Sequence, residues 1–206
     1  MDRETLLKTI AEIAKKIEAE KEYLTELDTA IGDGDHGINM ARGFKAVEEK
    51  LPGLSDKDIG AILKGVGMQL VSTVGGASGP LYGTAFMKAG AACKGKLELD
   101  AAGFQEAFAA AIGGVKMRGK SEPGEKTMLD TLCPAYEALS QAIAAGETLK
   151  AAMDKAVAAG EKGAAYTKTI AATKGRASYL GERSIGHQDP GAASSLFMLQ
   201  ILAENL

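Results

Sequence analysis

A chain of 206 residues with 46% hydrophobic residues can bury one substantial core and reads as a single domain spanning 1–206. The net charge of −3 and pI near 5.5, with no Lys/Arg run, exclude a nucleic-acid binder, because phosphate-backbone binding needs a local basic excess. No stretch reaches the roughly 18 uninterrupted apolar residues of a membrane span, and the charged N-terminus does not read as a secretory signal.

Periodicity favours helix along almost the whole chain. Leu6, Ile10, Ile13 and Ile17 recur at three- and four-residue spacing, with Lys and Glu between them. Similar patterns run through about 38–50, 56–74, 81–94, 100–116, 126–145, 148–173 and 192–205. That predicts eight helices and no strand. Ser55, ahead of Asp56 and Asp58, and Asp100 read as helix starts. Abundant Ala and Gly, with aromatics at 5%, favour closely packed helices. Cys93 and Cys133 lie in apolar stretches outside any ligand pattern, as expected for packing residues of a reduced, cytoplasmic protein.

The connections divide into two kinds. The even-numbered ones are short and plain: 51–55, 95–99 and 145–147. The odd-numbered ones are IGDGDHG (31–37), GGASGP (75–80), MRGKSEPGE (117–125) and KGRASYLGERSIGHQDPG (174–191). These four hold 12 of the 26 glycines in 40 residues, more than twice the average density. In an up-and-down helical bundle every second connection lies at the same end. The four rich loops are therefore expected to share one rim and form one site.

The first of them is acidic. Asp28 falls near a helix end, and Asp33 and Asp35 flank Gly34 in the loop. Three carboxylates so close would repel one another unless a divalent cation joined them, and carboxylate oxygen favours Mg²⁺, Ca²⁺ or Mn²⁺. Three motif matches fail. Gly32, Gly34 and Gly37 spell the dinucleotide fingerprint, but helix precedes them where a strand is required. An EF-hand starting at Asp33 would need Gly at Ile38 and Glu at Phe44. In the segment 119–127, Glu125 intrudes where the lysine of a P-loop should follow the second glycine. Glycine-rich segments opening helices can still bind phosphate through free backbone N–H groups, and 75–80 suits that role best. The two histidines, His36 and His187, both lie in odd loops. His36 could contact phosphate or carry a phosphoryl group, while His187 reads as organising its loop.

The segments LDTAIGDGDHGINMARGF (27–44), VGGASGPLYG (74–83), KSEPGEKTMLD (120–130) and GRASYLGERSIGHQDPGA (175–192) together resemble the DhaL family. These are nucleotide-binding subunits of dihydroxyacetone kinase. The resemblance implies an all-α barrel of eight antiparallel helices with nucleotide at one rim. It implies two Mg²⁺ ions on Asp28, Asp33 and Asp35, which with Arg176 form the catalytic set. His36, Gly37, Ile38 and Asn39 match positions beside the phosphates, and Ala77, Ser78 and Gly79 match the loop that cradles them. Gly119, Thr127 and Met128 match the nucleoside pocket, and Arg176 with Asp189, Pro190 and Gly191 the closing loop.

The chemistry so implied divides the labour. A DhaK partner holds dihydroxyacetone, and ADP, tightly bound, cycles with ATP through a phosphohistidine on a DhaM partner. Three alternatives stay open: an ATP-exchanging triose or polyol kinase subunit, a nucleotide-loaded module docking a transcriptional regulator, and a phosphocarrier using His36. The sequence also leaves room for a homodimer.

Overall fold

A computed structural model describes residues 1–206. Nine α-helices follow in order: α1 Arg3–Ala19, α2 Lys21–Ile31, α3 His36–Lys50, α4 Ile59–Thr73, α5 Ser78–Ala92, α6 Ala101–Gly119, α7 Leu129–Ala144, α8 Leu149–Tyr166 and α9 Pro190–Glu204. Short 3-10 turns span Leu51–Leu54, Thr167–Thr169 and Arg176–Ser184. The one β pairing is an isolated bridge between Asp2 and Glu98.

Eight of these helices form a closed ring. From α3 to α9 each packs on the next in sequence, and α1 closes the circle between α9 and α3. The apolar faces turn inward, burying Ile10, Ile17, Met40, Phe44, Ile59, Ile62 and Leu70 almost completely. α2 is the ninth helix and lies against α3 and α9.

Two boundaries differ from the periodicity. The first predicted helix breaks at Glu20, whose N–H bonds back to Lys16 and Glu18 and ends α1. Glu18, Glu20, Lys21 and Glu22 are all good helix formers, so nothing in the local sequence marks the break. The stretch predicted to run to 173 stops at Tyr166. There the Thr167 and Thr169 hydroxyls donate to the carbonyls of Ala164 and Tyr166, offering the backbone an alternative to continuing the helix.

Glycine sets how closely the ring can pack. A Cβ on Gly60 would lie 2.7 Å from the Gly90 carbonyl oxygen, and one on Gly90 equally close to that of Gly60. Gly67 and Gly83 repeat this relation at 2.6 and 2.8 Å. Seven residues separate the partners on each antiparallel helix, so α4 and α5 meet backbone to backbone twice on one face. A second close approach accompanies Pro134 inside α7. Proline supplies no N–H for the Asp130 carbonyl, and Gly163 of α8 packs directly on that oxygen.

Crowding makes opposite outcomes expected for one substitution at two sites. Gly67→Ala should destabilise the fold by about 1–3 kcal/mol through overpacking. Gly113→Ala, mid-helix in α6 with nothing within 4 Å of the new Cβ, should stabilise it by about 0.5–1 kcal/mol. Urea denaturation of both variants reads the two signs.

Candidate functional site

Four connections reach the same rim: 32–35, 74–77, 120–128 and 167–189. They surround a cavity of about 490 Å³, a size suited to a small-molecule ligand. The connections 51–58, 93–100 and 145–148 lie at the other end of the ring, as alternation requires.

Capping separates the two ends. Away from the rim, α1, α4, α6 and α8 start on Asp2, Asp58, Asp100 and Thr148, and each of these side chains accepts a first-turn N–H. At the rim, the N-cap residues Asp35, Ala77 and Met128 of α3, α5 and α7 give no such bond, and only α9 is capped, by Asp189. Four positive dipole ends therefore converge on the cavity, and that of α5 presents amides with no side-chain acceptor.

The acidic group lines the same cavity. One carboxylate oxygen each from Asp28, Asp33 and Asp35 lies within 4.8 Å of the others. Asp28 is buried, and its Oδ2 accepts the N–H groups of Asp35 at 2.8 Å and His36 at 3.1 Å. Those bonds fold the acidic loop back on the end of α2 and stand in for a cap on α3. Gly34 turns the loop with φ +73°, in the left-handed region. Asp33 instead pairs with Arg176, whose guanidinium nitrogen lies 2.9 Å from Oδ2 and reaches across from the 167–189 segment. Hard oxygen donors in this grouping suit Mg²⁺ or Ca²⁺.

His36 is buried beneath the acidic loop. Its Nδ1 lies 3.0 Å from Ser78 Oγ and its Nε2 2.9 Å from Ser194 Oγ, so one ring joins the starts of α3, α5 and α9. Tyr82 extends the network, with its hydroxyl near Ser194 and Ser195 Oγ and donating to the Gly191 carbonyl. Burial pushes His36 down to about 4, against the pull of Asp28, and pushes Tyr82 up to about 12. A neutral ring with both nitrogens engaged is neither a ready nucleophile nor a proton donor at neutral pH.

The remaining loops are held from below. Asp130 accepts the amides of Gly124 at 2.5 Å and Thr127 at 2.7 Å, shaping the 120–128 turn. Arg42 donates to Asn39 Oδ1 at 2.6 Å, which turns the Asn39 amide nitrogen into the donor available to a ligand. Arg42 also donates through Nε to the Thr73 carbonyl, bracing the approach to the second rim loop.

Of the positions singled out in the sequence, Asp28, Asp33, Asp35, His36, Asn39, Ala77, Ser78, Gly119, Thr127, Met128, Arg176, Asp189, Pro190 and Gly191 all line the cavity. Gly37, Ile38 and Gly79 do not. Gly37 is pressed against the Lys21 carbonyl, Gly79 against that of Val74, and Ile38 is exposed. His187 faces solvent and takes part through its backbone. Arg42, Tyr82, Lys126, Asp130 and Ser194 were not assigned roles from sequence. Lys126 and Asp130 stand inside a motif already singled out, whereas no local pattern marks Tyr82 or Ser194 as partners of a residue on another helix.

Comparison with known proteins gives the family and the fold. The family profile described as the DAK2 domain matches residues 30–204. The ADP-binding subunit DhaL of the PEP-dependent dihydroxyacetone kinase of Escherichia coli is 53% identical over 184 residues, covering 89% of this chain and 88% of that protein. The ADP-binding subunit DhaL of PEP-dependent dihydroxyacetone kinase 1 from Listeria innocua is 42% identical over 203 residues, covering 98% of this chain and 96% of that one. Among solved structures, the dihydroxyacetone kinase of C. freundii in complex with AMP-PNP and Mg²⁺ superposes with a TM-score of 0.75 at 23% identity. That likeness, which shows the fold, covers 97% of this chain and 33% of the longer one.

The state of His36 sets a pH dependence. The ring loses its proton more readily in the folded than in the unfolded chain, so its contribution is complete above about pH 6.5 and is lost as pH falls from there toward 4. The full effect is about 3 kcal/mol. NMR of the imidazole should show a neutral ring throughout the range where a free histidine titrates. A midpoint near 6.5 would remove the basis for this linkage.

Proposed function

The chain belongs to the DAK2 domain family, and from that premise we propose that it is the nucleotide-binding subunit of a dihydroxyacetone kinase, holding Mg·ADP or Mg·ATP in the rim cavity. The observation that carries this reading is the meeting of opposite charge in one cavity. Three carboxylates and the uncapped start of α5 line the same cavity. A metal-bound polyphosphate satisfies both, because its cations meet the carboxylates and its oxygens the amides.

Asp28, Asp33 and Asp35 would hold two Mg²⁺ ions, with Asp28 aimed by the amides of Asp35 and His36. Magnesium there supplies charge neutralisation at the phosphates and a template for in-line displacement. Ala77 and Ser78 offer backbone N–H groups at the start of α5, and Asn39 adds its amide. Gly119, Thr127 and Met128 form the nucleoside end, and Arg176 covers the acidic loop.

Phosphoryl transfer depends mainly on positioning and electrostatics, and this chain's residues are arranged for both. With His36 neutral and engaged at both nitrogens, the phosphoryl group passes from nucleotide to acceptor without a phosphohistidine on this chain. The acceptor is dihydroxyacetone held by a DhaK partner, and ADP stays in place to be rephosphorylated by a phosphohistidine on DhaM.

Two measurements test the reading. In isothermal titration with Mg·ADP, Asp33→Asn should weaken binding about 10- to 100-fold, as loss of one charge-assisted contact does. Unchanged affinity would end the metal assignment. With DhaK, dihydroxyacetone and Mg²⁺ present, phosphorylated DhaM should yield dihydroxyacetone phosphate. No product from either DhaM or ATP would sink the kinase assignment.

A further inference from the structure

The least expected residue in the rim is Lys126. Its backbone is left-handed at φ +62°, a conformation that non-glycine residues rarely hold without a surrounding structure that imposes it. Its side chain is among the largest fully buried in the protein, at 1% exposure, yet it forms no ion pair with a carboxylate. An ammonium carries three N–H donors. Here all three go to backbone carbonyls: Thr167, Ile170 at 3.3 Å and His187 at 2.5 Å.

Those acceptors define what the lysine does. Thr167 and Ile170 begin the 167–189 connection and His187 stands near its end, so one side chain gathers both feet of a long loop. Between the feet the loop carries Arg176, which reaches Asp33. Two further bonds join its arms, from the Gly186 amide to the Lys168 carbonyl at 2.7 Å and from the Ala172 amide to Ser184 Oγ at 2.8 Å. Lys126 itself is presented by the turn that Asp130 shapes through Gly124 and Thr127. The nucleoside end of the cavity and the loop above the acidic group thus share one polar tie. Burial pushes the ammonium below its ordinary value, against the pull of the Asp189 and Asp130 charges, and the three carbonyls leave it no hydrogen free for a ligand.

We propose that Lys126 is a positioning residue for Arg176: it latches both feet of the 167–189 loop to the 120–128 turn, and through that latch it slows release of the bound nucleotide without touching the phosphates. This inference rests on the nucleotide reading above. A methionine at 126 keeps the volume of the stem but strands the buried Thr167 carbonyl and releases the part-buried ones of Ile170 and His187, so the loop should open while the helical ring persists.

The test is a double-mutant cycle on intact protein, with Mg²⁺ and a fluorescent N-methylanthraniloyl-ADP displaced by excess Mg·ADP. Lys126→Met and Arg176→Ala should each speed dissociation by about tenfold or more, as expected for lost charge-assisted contacts. The double variant should be no faster than the faster single one, because Lys126 acts through Arg176. Multiplying effects, or a Lys126→Met rate equal to wild type, would overturn the proposal.

Trypsin supplies an arm that needs no nucleotide. Lys126→Met should be cut faster after Lys174, Arg176 and Arg183 with an unchanged helical circular dichroism spectrum, and unaltered cutting would contradict the latch. Should Lys126→Met not fold, Lys126→Arg keeps the charge and carries both comparisons, with effects in the same direction. A wild-type chain that fails to bind the nucleotide would defeat the nucleotide reading, and the tryptic comparison would then decide the latch alone.

Discussion

The rim depends on how the buried His36 ring joins Ser78, the first residue of α5, to Ser194 in the opening turn of α9, while α3 starts at His36 itself. Three helices that are distant in sequence are thereby held at one height and one separation. Burial favours the neutral ring, which donates from one nitrogen and accepts at the other, because a charge would be costly there. Asp28 completes the arrangement from the side by taking the amides of Asp35 and His36. Without these bonds the acidic loop has no defined relation to the start of α5. The distance between carboxylates and amides is what the cavity's chemistry rests on.

The contrast between the two ends of the ring follows from the same economy of hydrogen bonds. Where no ligand is expected, each helix start is satisfied by its own Asp or Thr. At the rim, α5 begins instead with Ala77 and Ser78, and the serine hydroxyl is turned to His36. A capping aspartate there would compete with an incoming phosphate and would repel it. The end that looks less well satisfied is therefore the one organised to receive an anion. The cavity reaches from that helix start to the turn that Asp130 and Lys126 shape, so its two ends are built by different loops.

Much of this was legible in the sequence because alternation in a helical bundle is a strong constraint. The glycine-rich loops did share a rim, and the acidic trio did come together. What stayed hidden depended on side chains meeting across the ring. Tyr82 reaches Ser194 and Ser195 over more than a hundred residues, and nothing local to either marks the meeting. Gly37 and Gly79 look like ligand-binding glycines, but neighbouring backbone demands their small size. The break at Glu20 was equally silent, because charged residues that favour helix occupy both sides of it. His36 read as a phosphate contact or a phosphoryl carrier, and no local pattern marked its bonds to Ser78 and Ser194.

Hydrogen exchange with and without Mg·ADP most directly tests whether the four rim loops act as one nucleotide clamp. The account predicts added protection in segments 33–39, 75–81, 119–128 and 174–191 together, with none in 51–58, 93–100 or 145–148. Protection restricted to the acidic segment, or appearing at the opposite end of the ring, would contradict it.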